Sequence, residues 1–173
     1  ETDHLDHYDS LDDIEAGFDR YLAQTPGPKI VCADDERAAR VGARRGATTY
    51  GFADTADYRA VGVTAVSGSF RFGVERAGRQ IAEVELPLRG RHNVANATAA
   101  LAMAVELGVD PAVAATALGK FGGVARRFDV RRHDRGATFF DDYAHLPSEI
   151  DAVLRGARDS GDGRRERCGA QRR

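Results

Sequence analysis

The chain has 173 residues, enough to bury one good core or two small ones, and its 42% hydrophobic and 30% charged residues describe a globular protein. A formal charge of −2 supplies no basic field for nucleic acid, so no nucleic-acid partner is expected. No apolar run is long enough to span a membrane, and the acidic opening is unlike a signal peptide, so neither membrane nor export is expected.

Leu11, Ile14, Phe18 and Leu22 recur at helical spacing and predict an amphipathic helix over 11–24 with these residues on its core face. Thr25-Pro26-Gly27-Pro28 ends it. Residues 29–33 form a short apolar run, read as a buried strand that delivers Asp34 and Asp35 to its end. Cys32 in this run and the distant Cys168 lack paired spacing, which fits a reduced compartment with no zinc motif. A helix over 35–45 and a strand over 48–52 complete a strand–helix–strand unit, which favours a parallel sheet with a right-handed crossover.

Residues 56–90 change character. The segments 70–74 and 84–88 alternate with period two and face each other across Arg76-Ala77-Gly78-Arg79, a hairpin turn, with Pro87 at an edge or a strand end. Helices follow over 94–107, stopped by Gly108, and over 111–121, opened by Asp110 and Pro111. Gly122-Gly123 is the candidate hinge. Beyond it, 128–132 and 137–141 read as strands, and a helix starting at Pro147 carries Ile150, Val153, Leu154 and Ala157. The class is α/β, a mostly parallel sheet with flanking helices and a small antiparallel hairpin, followed by the start of a second α/β domain.

The most informative stretch is Gly90-Arg91-His92-Asn93-Val94-Ala95-Asn96, where strand gives way to helix. Asn93 is expected to cap that helix, and Asn96 lies on the same face one turn on. Two carboxamides at a helix mouth can donate and accept, as reading an adenine edge requires. An ordinary capped helix with a polar first turn would look the same. Three further stretches are distinctive: Asp3-His4-Leu5-Asp6-His7-Tyr8, Gly123-Val124-Ala125-Arg126-Arg127-Phe128, and Asp141-Asp142-Tyr143-Ala144-His145-Leu146-Pro147.

In this order the four stretches resemble the Mur ligases of bacterial peptidoglycan synthesis, whose patterns run D-H-x-D-x-Y, G-x-H-N-x-x-N, G-V-x-R-R-F and D-D-Y-A-H-x-P. The resemblance covers residues 1 to about 160. It implies a mononucleotide-binding central domain over 1–122 and the beginning of a Rossmann-like C-terminal domain over 123–173. The implied activity is ATP-dependent amide bond formation in the bacterial cytoplasm, joining L-alanine to UDP-N-acetylmuramate through an acyl phosphate. A sister activity, attaching a murein peptide to the same sugar nucleotide, is the alternative. A non-catalytic nucleotide-binding module is a third, from another class. Oligomeric state is not legible.

The resemblance also implies roles. His4 would hold Mg2+ near the γ-phosphate, although imidazole is an unusual magnesium ligand; His7 stays a surface residue. Asn93 and Asn96 would contact adenine, with His92 beside it. Arg127 would reach the ATP phosphates as a catalytic residue, where a guanidinium fork suits phosphate oxygens; the adjacent Arg126 is the rival for that place. Asp142 would position the ribose, and Tyr143 and the catalytic His145 would face the substrates. The family often has a second His where Leu146 stands.

The chain contains no G-x-x-G-K-[ST] loop, because Gly119-Lys120 is followed by Phe121 late in a helix. The expectation is therefore a fragment that is inactive alone. The Arg-rich residues from about 161 replace an expected apolar strand, as a frame shift or as a basic interaction tail.

Overall fold

A computed structural model describes residues 7–66, 68–135 and 137–159. Five strands form one sheet in the order β1 (Ile30–Cys32), β2 (Thr48–Gly51), β3 (Tyr58–Val66), β4 (Ser69–Arg76) and β5 (Arg79–Leu86). Pairing is parallel through β1–β2–β3 and antiparallel through β3–β4–β5. The expected hairpin is thus part of a larger antiparallel half that extends the parallel one, and the sheet is mixed.

Strand alternation explains the layers. Ile30 and Tyr50 join the main core beneath α3 (Arg91–Glu106), whereas Val31 points to the other face, against Gly42 of α2 (Glu36–Arg44). A Cβ at Gly42 would fall inside the Val31 side chain, so only glycine allows this approach. Asp35 caps α2 by accepting from the Ala38 amide at 2.8 Å. In the antiparallel half Phe70, Phe72, Val74, Val84 and Leu86 are buried, packed with Val94 and Leu101 of α3 and with Ala114 and Ala115 of α4 (Pro111–Gly119). The opposite face carries Arg71, Glu83 and Glu85 to water, as expected of an antiparallel sheet covered on one side.

β3 has no counterpart among the expected strands. Its pattern is blurred by Gly62, which sits at φ +60° in a bulge where the register shifts between Val61 and Thr64. The connection from β2 is also short for a parallel pair, and two carboxylates hold it. Asp57 accepts from the Thr49 amide and hydroxyl, each at 2.8 Å, and Asp34 accepts from the amides of Phe52 and Ala53. Asp34 and Asp35 are therefore scaffold. At the far end of α3, Glu106 accepts from the buried Tyr58 hydroxyl at 2.8 Å and pairs with Arg76 at 2.5 Å, joining three elements. Burial and this carboxylate push the Tyr58 phenol up to about 12.

The first helix, α1 (Leu11–Gln24), has the expected bounds but not the expected face. Leu22 is buried, whereas Phe18 is 61% exposed. The reason is an ionic contact with α2. Glu15 takes both Nε and Nη2 of Arg40, Arg44 at 2.7 Å and Arg37 at 3.0 Å, while Asp19 pairs with Arg45. The helix is rotated to aim carboxylates, not Phe18, at its neighbour.

Hydrogen bonds from Arg40, then Arg44, outweigh desolvation and lower the Glu15 carboxyl from 4.5 to about 2. A depressed carboxyl stabilises the fold above its unfolded pKa and loses that contribution as pH falls through the folded value. The melting-temperature difference between the wild type and Glu15→Gln should therefore be full near neutrality and vanish between about pH 4.5 and 2. A difference constant over that window, followed by circular dichroism, would remove Glu15 from the acid response.

After α4, residues 120–128 lead to a two-stranded antiparallel sheet of β6 (Asp129–Asp134) and β7 (Ala137–Asp141), then α5 (Pro147–Asp159). These match the expected elements to within a residue or two. Gly156 of α5 packs on Gly90 ahead of α3, where a Cβ would lie 3.0 Å from the Gly90 Cα. That close approach seats the β6–β7–α5 unit beside the N-terminus of α3.

Candidate functional site

The N-terminus of α3 differs from the sequence reading. The helix begins at Arg91, and its cap is Gly90 at φ +87°, with no side-chain cap. Asn93 is thus inside the first turn, and its Nδ2 donates to the Arg89 carbonyl at 2.6 Å. A Cβ on Gly90 would strike the His92 ring, so glycine both makes the turn and admits the imidazole. Asn96 lies on the exposed side of the next turn and Asn93 is half-buried.

Opposite this turn stand the other two motifs. Arg127 donates its amide to the Val124 carbonyl, and flanking residues Arg126 and Phe128 have φ of +61° and +52°. At this turn the neighbouring arginines take different carboxylate partners. The Arg126 guanidinium lies over the Tyr143 ring at 5.0 Å and 3.8 Å from Asp141. Arg127 lies 5.9 Å from the same ring, 3.9 Å from Asp142 and 3.7 Å from Glu149, with about half its side chain exposed.

Asp142 follows the last residue of β7 and is half-buried. Its Oδ2 accepts from the Phe128 amide and its Oδ1 from the Ala144 amide, both at 2.8 Å. It therefore fixes the arginine turn to its own loop. Tyr143 donates its amide to the Arg126 carbonyl at 2.8 Å, a second tie between the same segments. The rings of Tyr143 and His145 meet edge to face at 5.5 Å.

His92 feels this assembly. Burial holds its imidazole below the usual range, Asp142 raises it and the Arg127 charge lowers it further. The Arg127 and Asp142 charges thus reach His92, which shares its turn with Asn93. His4 lies outside the described residues, as do the residues from 161. Among the described residues, no group of three or more His, Cys, Asp and Glu side chains is arranged to hold a metal ion.

Three contributors were absent from the sequence reading. Arg91 covers the Phe52 ring at 4.0 Å, and Arg89 lies 5.8 Å from the rings of both Phe128 and Phe140. Neither carries a local signal, since each contact is between distant segments. Glu149 did carry one, because an acidic residue in the first turn commonly reaches back to the amides before the helix.

Residues 1–104 match the model of the Mur ligase middle domain. The chain is 44% identical over 168 residues to the UDP-N-acetylmuramate–L-alanine ligase of Paenarthrobacter aurescens, covering 91% of this chain and 35% of the relative. It is 42% identical over 172 residues to the ligase of that name from Acidothermus cellulolyticus, covering 95% and 36%. Among solved structures, the UDP-N-acetylmuramate-alanine ligase of Thermotoga maritima superposes with a TM-score of 0.78 at 33% identity, covering 91% of this chain and 36% of that one. The chain therefore spans about a third of the length of the relatives it matches. The domain match over more than half its residues, together with the shared fold, establishes that this chain belongs to the Mur ligase family.

Proposed function

We infer that the chain is the nucleotide-facing part of an ATP-dependent ligase that joins L-alanine to UDP-N-acetylmuramate in the bacterial cytoplasm. Residues 1–122 belong to its central domain, and those from 123 begin the next. In that reaction the substrate carboxylate takes the γ-phosphate to become an acyl phosphate, and the alanine amine then displaces phosphate. The observation that carries the reading is the Arg127–Asp142 pair, 3.9 Å apart, whose charges reach His92 on the first turn of α3. The likeness to two UDP-N-acetylmuramate–L-alanine ligases supports alanine over a peptide as the added group.

In this reading Asn93 and Asn96 take the adenine edge and His92 packs beside it. Burial disfavours the charged form of that imidazole, which suits packing on an aromatic base. The half-exposed Arg127 guanidinium offers donors to phosphate oxygens. Asp142 and Tyr143 border the ribose, and His145 faces the acyl centre. Asp142 is the stiffest of these, because both its oxygens are held by backbone amides. His4 is assigned to Mg2+ on the family pattern alone.

Nuclear magnetic resonance of the labelled chain, titrated with ATP and with GTP, tests the reading. ATP should shift the amides of 90–96, 126–128 and 142–145, and GTP should shift them less. Equal response to both nucleotides would remove the adenine assignment, and no response in these segments would remove the site.

A further inference from the structure

Glu149, third residue of α5, belongs to none of the motif positions. Its Oε2 accepts from the amides of His145 at 3.0 Å and Leu146 at 3.3 Å, and lies 3.3 Å from the His145 Nδ1. Those backbone bonds hold its carboxyl below the usual range, so it is charged. Its Oε1 faces Arg127 at 3.7 Å. One side chain thus closes the turn before α5 and presents a negative charge to the arginine.

The distances around Arg127 are informative. Glu149 at 3.7 Å and Asp142 at 3.9 Å compensate its charge, yet both exceed hydrogen-bond length. The guanidinium is neutralised without being tied in a fork, so its donors remain open to a better acceptor. Asp142 cannot withdraw without breaking two backbone bonds. Glu149 can, because Oε2 keeps the turn closed while Oε1 yields.

We propose that Glu149 is a positioning residue that acts as the exchangeable counter-ion of Arg127, competing with an incoming polyphosphate while holding the Tyr143–Leu146 turn in place. This rests on the reading of Arg127 as a phosphate ligand. Two consequences of opposite sign follow. Removing the charge and keeping an acceptor relieves the competition. Removing both frees the turn and misplaces its residues.

The test is calorimetric titration of the full chain with sodium tripolyphosphate, ATP and adenosine. Glu149→Gln should bind tripolyphosphate about three- to tenfold tighter than wild type, the range expected for deleting one competing charge at a partly exposed site. Adenosine, which carries no charge, should bind both alike. Glu149→Ala should bind ATP more weakly and shift the amide resonances of 143–146. A purely capping Glu149 would leave Glu149→Gln no tighter for tripolyphosphate, and that result overturns the proposal. Arg127→Ala separates the two failures. If it weakens tripolyphosphate binding while Glu149→Gln changes nothing, the counter-ion falls and the phosphate reading stands. If Arg127→Ala changes nothing, both fall.

Discussion

Phe72→Ala should cost about 3–5 kcal/mol of folding stability, the usual range for emptying a fully buried aromatic site. Phe72 is 1% exposed on β4, in one buried cluster with Val84 of β5 and Leu101 of α3, which are held by the sheet and the helix and cannot close the void. Phe18→Ala, at 61% exposure on α1, should change stability by no more than about 0.5 kcal/mol. Urea unfolding of the two variants beside wild type reads both numbers. Equal costs would mean that α1 buries Phe18 and that the ionic contact with α2 is wrongly placed.

Arg127→Ala should weaken ATP binding by at least about tenfold, the loss expected when charge-assisted hydrogen bonds to a phosphate are removed. Arg126→Ala should weaken it by less than about twofold, because an exposed arginine paired at long range contributes little. The contrast follows from their partners: Arg126 pairs with Asp141, whereas Arg127 pairs with Asp142 and Glu149 and its charge reaches His92. A second readout does not depend on ligand. The Arg127 charge lowers the His92 imidazole, so its removal should raise the pH at which His92 titrates, followed by its ring proton shifts. Equal losses from both arginines would show that neither is singled out by the turn.

Much of the fold was legible because the cues were local. Apolar spacing and Pro26 placed α1 on its observed bounds, and Asp110 with Pro111 placed the start of α4. The misreadings share a different cause. Phe18 stood on the apolar side of α1, but the inward side is ionic, set by arginines more than twenty residues away. β3 was hidden because Gly62 interrupts its alternation at a bulge. Asn93 looked like a cap because its chemistry suits one, whereas Gly90 in a left-handed conformation starts the helix three residues earlier.

The candidate site was legible as a set of motif residues and not as an arrangement. Nothing in Arg126-Arg127 says which guanidinium meets Asp142 and Glu149, since those contacts join segments distant in sequence. Glu149 was passed over because its first-turn position has an ordinary explanation. Its contact with Arg127 joins segments more than twenty residues apart, which no local pattern announces.

The mixed sheet has a consequence for how the chain reaches this state. β3, β4 and β5 lie two residues apart in sequence and pair with their sequence neighbours, so they can zip together early at little loop-closure cost. β1 and β2 emerge first from the ribosome, yet β3 and the covering α3 are made only later. The older strands must wait for the younger meander to supply an edge. Amide protons of β1 and β2 should consequently exchange with solvent through smaller openings than those of β3 and β4, leaving the parallel half as the part of the sheet that melts first.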